Sequence, residues 1–174
     1  MDRLWSPWRS EYVAAGSAVL NDGGCVFCEI QRDSSKDGTN FVLHRAELNL
    51  VVLNIYPYTP GHLLIVPYQH VGDLDAATSD TTNEMMELIK LSQIALREAY
   101  KPAGYNIGLN LGAAAGAGIV DHIHVHIVPR WIGDSNFMST VGETRVLPED
   151  LITTYHKLRG ISIWTREPQF LSKK

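Results

Sequence analysis

The chain has 174 residues, 45% of them hydrophobic and 20% charged, with a formal net charge of −4. That length suits one domain with a real core, and the mild negative charge argues against a dedicated nucleic-acid binder. No apolar run is long enough to span a bilayer, and no basic start followed by an apolar stretch opens the chain, so a cytoplasmic protein without membrane contact is expected.

Residues 1–24 read as an N-terminal arm. Trp5, Trp8, Arg9 and Tyr12 crowd it and Pro7 discourages a long helix, so it is expected to lie ordered on the domain or on a second subunit. Cys25 and Cys28 are the only cysteines. In a reducing compartment their spacing suggests metal or redox chemistry before a structural disulfide. Cys25 to Ile30 reads as a tight turn entering a short element, and Asp33 to Asn40 as a flexible loop.

Strands are expected at Phe41–Arg45, Leu48–Ile55 and His62–Val66, the last closed by Pro67, with a Pro- and Gly-rich turn at Tyr56–Gly61. A long helix follows over Asp80–Tyr100. Met85, Leu88, Ile89, Ser92, Ala95, Leu96 and Ala99 form its buried stripe. Thr81 and Glu84 fit a capping box, with Ser79 an alternative N-cap, and the Met85–Met86 pair reads as core filler. Pro102 and Gly104 end the helix, and Gly104–Leu109 is a fourth strand. Pro148 at a first helical position, with Glu149 and Asp150 behind it, starts a last helix running to about Arg159. The fold class is therefore α+β, an antiparallel sheet with helices on one side.

The stretch Asp121–Arg130 alternates polar and apolar residues strictly, the period of a half-buried strand. His122, His124 and His126 then share one face, with neighbours about 6.5–7 Å apart. Ile123, Val125 and Ile127 take the other face and belong to the core. Three imidazoles in a row are costly to desolvate and add little to packing. A neutral imidazole is a nucleophile near pH 7 and can form a labile phosphoramidate with a phosphorus centre. The middle one, His124, has a neighbour to orient it on one side and a neighbour to assist a leaving group on the other. Just upstream, Leu111–Gly118 is a loop of glycine and alanine whose backbone N–H groups can approach phosphate oxygens closely.

His-Ile-His-Val-His-Ile-Val behind a small-residue loop resembles the histidine triad (HIT) superfamily of nucleotide hydrolases and transferases. The resemblance runs from about Cys25 to Trp131 and includes Leu53-Asn54-Ile55 and Pro60-Gly61-His62-Leu63-Leu64-Ile65-Val66-Pro67. The arm Trp5-Ser6-Pro7-Trp8-Arg9, and Pro129-Arg130-Trp131 with Gly133–Met138, look like the bacterial ATP adenylyltransferase, or diadenosine tetraphosphate phosphorylase, branch. The resemblance implies one HIT-like domain over 1–174, with 1–24 its arm and 139–174 a C-terminal extension. It also implies a homodimer.

The resemblance further implies residue roles. His124 would attack an α-phosphate, with His126 on the phosphate and leaving-group side and His122 completing the catalytic set. Asn54 would bind ribose hydroxyls, Ile55 would wall the base or sugar, Asn110 would lie near phosphate and sugar, and Gly116 and Gly118 would donate backbone N–H groups. Asn54 and Asn110 also read as turn or strand-end caps. His62, at a strand start, reads as structural, His156 as solvated, and His44 fits either reading.

Gly118-Ile119 stand where relatives often carry polar residues, and His126 is glutamine in several transferase branches. Both leave open whether phosphate or water accepts the nucleotidyl group. A nucleoside phosphoramidase and a non-catalytic nucleotide sensor are the alternatives. Cys25 and Cys28 have the spacing of half a zinc site. Zinc-bearing members of the superfamily imply His70 and His122 as the other two ligands of a structural metal, and no organic cofactor is expected.

Overall fold

A computed structural model describes residues 24–135 and 148–165. Nearly all of the expected N-terminal arm lies outside the described residues, as do Phe137, Met138 and both ends of the C-terminal extension. Five strands form one sheet: β1 (Val42–Arg45), β2 (Asn49–Leu53), β3 (Leu63–Pro67), β4 (Gly104–Leu109) and β5 (Val125–Arg130). Their order is β1-β2-β3-β5-β4, and every neighbouring pair is antiparallel. Among the described residues three α-helices accompany it: α1 (Val26–Arg32), α2 (Ser79–Tyr100) and α3 (Leu151–Arg159). The α+β reading holds, with α2 and α3 together on one face. Among the described residues, no helix is long and apolar enough to cross a membrane.

Alternation along the strands divides the core. Val51, Leu53, Leu63, Ile65, Val125 and Ile127 point toward α2 and α3, where Leu88, Ile89, Leu96 and Leu158 meet them. Val42, Leu50, Val52, Leu64 and Val66 point the other way and pack with Phe27 of α1. The histidines of the triad have the second parity, so they lie on the face away from the long helix.

Several boundaries differ from expectation for identifiable reasons. Thr78, neither Ser79 nor Thr81, caps α2: its side chain accepts from the Thr81 N–H at 3.2 Å. Thr81 is buried inside the helix, and Glu84 makes no capping box. Its carboxylate instead accepts from the Glu47 and Leu48 N–H groups and from Asn49 Nδ2, pinning the β1–β2 turn to the helix. The buried stripe is as expected from Met85 to Leu96, with Thr81 and Glu84 added and Ala99 only partly buried. Met85 is core, but Met86 is 55% exposed because it falls one step off the stripe. The last helix starts later than Pro148, since Asp150 is its N-cap and accepts from the Thr153 N–H at 2.8 Å.

Residues 33–40 are no open loop. Asp33 caps a short turn, Ser34–Lys36, and Asp37 pairs with Arg45, which also donates to the Ile30 and Gln31 carbonyls. Asp and Ser supply local side-chain bonds here that composition alone reads as flexibility. The histidine strand is also shorter than expected. Pro67 ends β3 without an N–H to continue the ladder, so β5 begins at Val125 and the Ile123 N–H turns to the Val71 carbonyl at 2.8 Å.

Candidate active site

The three histidines are held in three different ways. His122 is fully buried; its Nε2–H donates to the Pro67 carbonyl at 2.9 Å, leaving Nδ1 toward the cysteines. His124 is 6% exposed, and its Nδ1 lies 3.0 Å from the carbonyl oxygen of His122. A carbonyl only accepts, so Nδ1 carries the proton and Nε2 keeps its lone pair. Burial pushes His124 below the usual imidazole range, and the bond to the His122 carbonyl opposes this only in part. His126 is more open; its ring lies edge-on to that of His124, with centroids 4.9 Å apart. Phe27 touches both inner members, at 5.1 Å from His124 and 5.4 Å from His122 between ring centroids.

A fourth histidine joins them. His62 is 1% exposed, and its Nε2 lies 3.0 Å from His126 Nδ1. On its far side the Tyr58 N–H donates to His62 Nδ1 at 3.1 Å. In a neutral ring the His62 proton therefore sits on Nε2 and points at His126 Nδ1. His126, when neutral, is left with its own proton on Nε2. The sequence reading of His62 as merely structural is too weak, because it contacts a triad member directly. The register Leu63↔Ile127 brings this about by placing His62 diagonal to His126 on the same face.

The β2–β3 turn carries these groups. The Asn54 N–H donates to the His62 carbonyl, and Asn54 Oδ1 accepts from the Tyr56 N–H at 2.9 Å. Its Nδ2 lies 3.3 Å from His62 Nδ1. Asn54 thus closes the turn, the cap reading of this residue, while Ile55 beside it is 51% exposed. Asn110 is partly buried at the end of β4. In the glycine-alanine loop, Gly112 and Gly116 take left-handed φ of 75° and 85° around a turn at Ala113–Ala115. The Gly116 N–H donates to Ala113 at 3.0 Å, so within this conformation it serves the loop. Of the other histidines, His156 is exposed, while His44 stacks on Trp164 away from the triad.

Beside His122 lies a compact group of four possible ligands. Cys25, Cys28, His70 and His122 bring one donor atom each to within 4.8 Å of one another. Cys25 Sγ is 3.3 Å and Cys28 Sγ 3.8 Å from His122 Nδ1, and Cys28 Sγ is 3.2 Å from His70 Nδ1. Tetrahedral zinc, with bonds of ~2.3 Å to sulfur and ~2.0–2.1 Å to nitrogen, sets its ligand atoms roughly 3.3–3.8 Å apart. The donor set fits. Burial and the neighbouring Cys25 push the Cys28 thiol up, a bias that a cation among the sulfurs reverses.

Comparison with known proteins bears on this arrangement. The HIT domain family model matches residues 35–131. The chain belongs to the HIT family. An AP-4-A phosphorylase from Mycobacterium tuberculosis is 37% identical over 173 residues, covering 97% of this chain and 87% of that protein. Among solved structures, a zinc-bound histidine triad family protein from Mycobacterium smegmatis is similar with a TM-score of 0.64 and 31% identity, over 87% of this chain and 98% of that one. A histidine triad nucleotide-binding protein from Sulfolobus tokodaii has a TM-score of 0.64 and 27% identity, over 86% and 99%. In this HIT protein, Cys25, Phe27 and Cys28 precede the matched segment, and Phe27 escaped the sequence reading because one aromatic between two cysteines carries no period. For His62 the local pattern gives the face it shares with Leu64, and the residue it meets there is set by the pairing of β3 with β5.

Proposed function

We propose that this HIT protein cleaves dinucleoside polyphosphates, diadenosine tetraphosphate foremost, through a nucleotidyl-histidine intermediate with phosphate as acceptor. The observation that carries the reading is the orientation of His124. Its Nδ1–H is committed to the His122 carbonyl, so the free lone pair sits on Nε2 of a ring kept neutral by burial. That nitrogen attacks the α-phosphorus. A P–N bond forms, the P–O bond to the β-phosphate breaks, and its electron pair leaves with ATP. His126 offers Nε2–H as a hydrogen bond to the charge that develops on phosphate oxygens. A phosphate oxygen then attacks the same phosphorus, the P–N pair returns to His124, and ADP is released; water in that role gives AMP. The similarity to a protein named AP-4-A phosphorylase supports phosphate.

The remaining roles belong to the same proposal. Exposed Ile55 walls the base or sugar. Asn54 Oδ1 has a second lone pair for a ribose hydroxyl beyond its bond to Tyr56. We assign Asn110 and the Gly118 N–H to phosphate and sugar, and Gly116 to the shape of the loop between them. Cys25, Cys28, His70 and His122 hold zinc; a set of four protein ligands leaves no open position, so the metal is structural and takes no part in a step. The β4 edge, with Ile107 on it 42% exposed, supports a homodimer formed across that edge, which light scattering tests: a monomer at micromolar concentration refutes it.

A product assay on diadenosine tetraphosphate decides the reaction. ADP formed only with phosphate supports the phosphorylase. AMP without phosphate makes the protein a hydrolase. His124→Ala should abolish turnover with the fold intact, and full activity in that variant refutes the intermediate.

A further inference from the structure

Glu149 lies outside the segment that matches the HIT domain, just before α3, yet it is tied to the triad through a short series of contacts. Its carboxylate accepts from the Tyr100 hydroxyl at the end of α2, from Thr154 Oγ1 at 2.9 Å and from Lys157 Nζ. Lys157 also sits 4.5 Å above the Tyr100 ring. Burial works to raise the Glu149 pKa, but Lys157, Tyr100 and Thr154 together outweigh it and hold the carboxyl below its usual range. Burial and Glu149 push the Tyr100 hydroxyl up, so it remains a donor. One carboxylate thus fastens the end of the long helix to the first turns of the last one.

The ring of Tyr100 in turn backs the residue before His62. Gly61 has φ +76°, and a Cβ there would stand 2.8 Å from Leu96 Cδ2 and 3.2 Å from Tyr100 Cε2. The backbone of the β2–β3 turn therefore rests directly on α2. Asn54, Gly61 and His62 also line one small pocket together with Glu149, Leu151 and Thr154. The series runs from α3 through Glu149 and Tyr100 to Gly61, then His62 and the Nδ1 of His126. A hydrogen-bonding partner of a reacting group must be held to within about 0.5 Å, and a turn does not supply that rigidity unaided.

We propose that Glu149 is a positioning residue for the triad, bracing the Gly61–His62 turn on Tyr100 so that His62 presents its Nε2–H to His126. The proposal rests on the reaction assigned above. It gives the C-terminal extension a task in that reaction and places that task opposite the metal group, on the far side of the sheet.

The test uses the full chain. Glu149→Ala should lower kcat on diadenosine tetraphosphate with phosphate about tenfold while KM stays within about twofold, the pattern of a misplaced catalytic group. Glu149→Gln keeps an acceptor for Tyr100 and Thr154 and should restore kcat to within about threefold. Tyr100→Phe keeps the ring on Gly61 and should reproduce much of the loss, with the Tyr100→Phe/Glu149→Ala pair no worse than Glu149→Ala alone. The second readout needs no substrate: imidazole nitrogen NMR should find His126 protonated on Nε2 in the wild type and a mixture of tautomers in Glu149→Ala. Unchanged His126 signals, or kcat within twofold of wild type in both single variants, overturns the bracing. If the wild type turns over no dinucleotide, the reaction assigned above fails, and the imidazole signals still decide the bracing separately.

Discussion

His62 offers the sharpest separation of catalysis from folding. Replacing it with Leu keeps the volume and the burial but removes both polar contacts. The first is the Nε2–H aimed at His126 Nδ1 at 3.0 Å, and the second is the Nδ1 that accepts the Tyr58 N–H at 3.1 Å. Losing the second orphans a donor inside the turn and costs about 1–3 kcal/mol of stability. Losing the first leaves His126 free to move its proton to Nδ1, and in that tautomer Nε2 no longer donates. A hydrogen bond to a group near developing charge is worth about 1.5–3 kcal/mol, and each ~1.4 kcal/mol is a factor of ten in rate, so kcat should fall about ten- to a hundredfold. His62→Gln, whose Nε2–H falls near that of the imidazole, should recover most of the rate. Steady-state kinetics with thermal melts of the same preparations provide the measurement. A folded His62→Leu protein with kcat within twofold of wild type refutes the tautomer argument.

Three further outcomes follow from named contacts. Cys25→Ser should reduce zinc content by metal analysis from roughly one equivalent to less than a tenth, and lower the melting temperature with it, since the serine oxygen is a poor match for a site built with sulfur. Burial, the largest influence on His44, lowers its pKa against the opposing pull of Glu84, so the unfolded chain takes up a proton before the folded one does. Its contribution is complete above the unfolded value of about 6.5 and is lost as pH falls below it, by at most about 1.4 kcal/mol per pH unit; His44→Gln should flatten urea-measured stability between pH 7 and 5. Glu84→Gln puts an amide NH₂ among the Glu47, Leu48 and Asn49 donors at a site 1% exposed, and should cost about 2–4 kcal/mol in the same measurement without altering KM.

What could be read in the sequence was whatever depends on period. The stripe along α2 and the alternation around Val125 and Ile127 are properties of neighbouring residues, and both appear in the core as expected. The misread parts depend on residues distant in the chain. Glu84 looked like half of a capping box because its spacing to Thr81 is local, whereas its partners, residues 47–49, lie 35 or more positions away. His62 looked structural because nothing local announces that β3 pairs with β5 in a register that sets it against His126. The shortening of the histidine strand had a visible cause in Pro67, but only the pairing of β3 with β5 turns that proline into a stop for the other strand.

That same pairing explains how three identical side chains diverge. Spacing puts His122, His124 and His126 on one face and makes them equivalent; what separates them is which nitrogen the backbone has claimed. The stop at Pro67 leaves its carbonyl free to take the His122 Nε2–H, which turns Nδ1 toward the sulfurs. The carbonyl of His122 takes the proton-bearing Nδ1 of His124, so the residue that faces the two cysteines also sets the lone pair of its neighbour. His126 meets a side-chain partner, His62, whose own proton is placed by the Tyr58 N–H. A lone pair on Nε2 of His124 beside a proton on Nε2 of His126 is the pairing that nucleophilic attack and charge stabilisation require of adjacent rings. It arises from two acceptors, the Pro67 and His122 carbonyls, and one donor, the Tyr58 N–H.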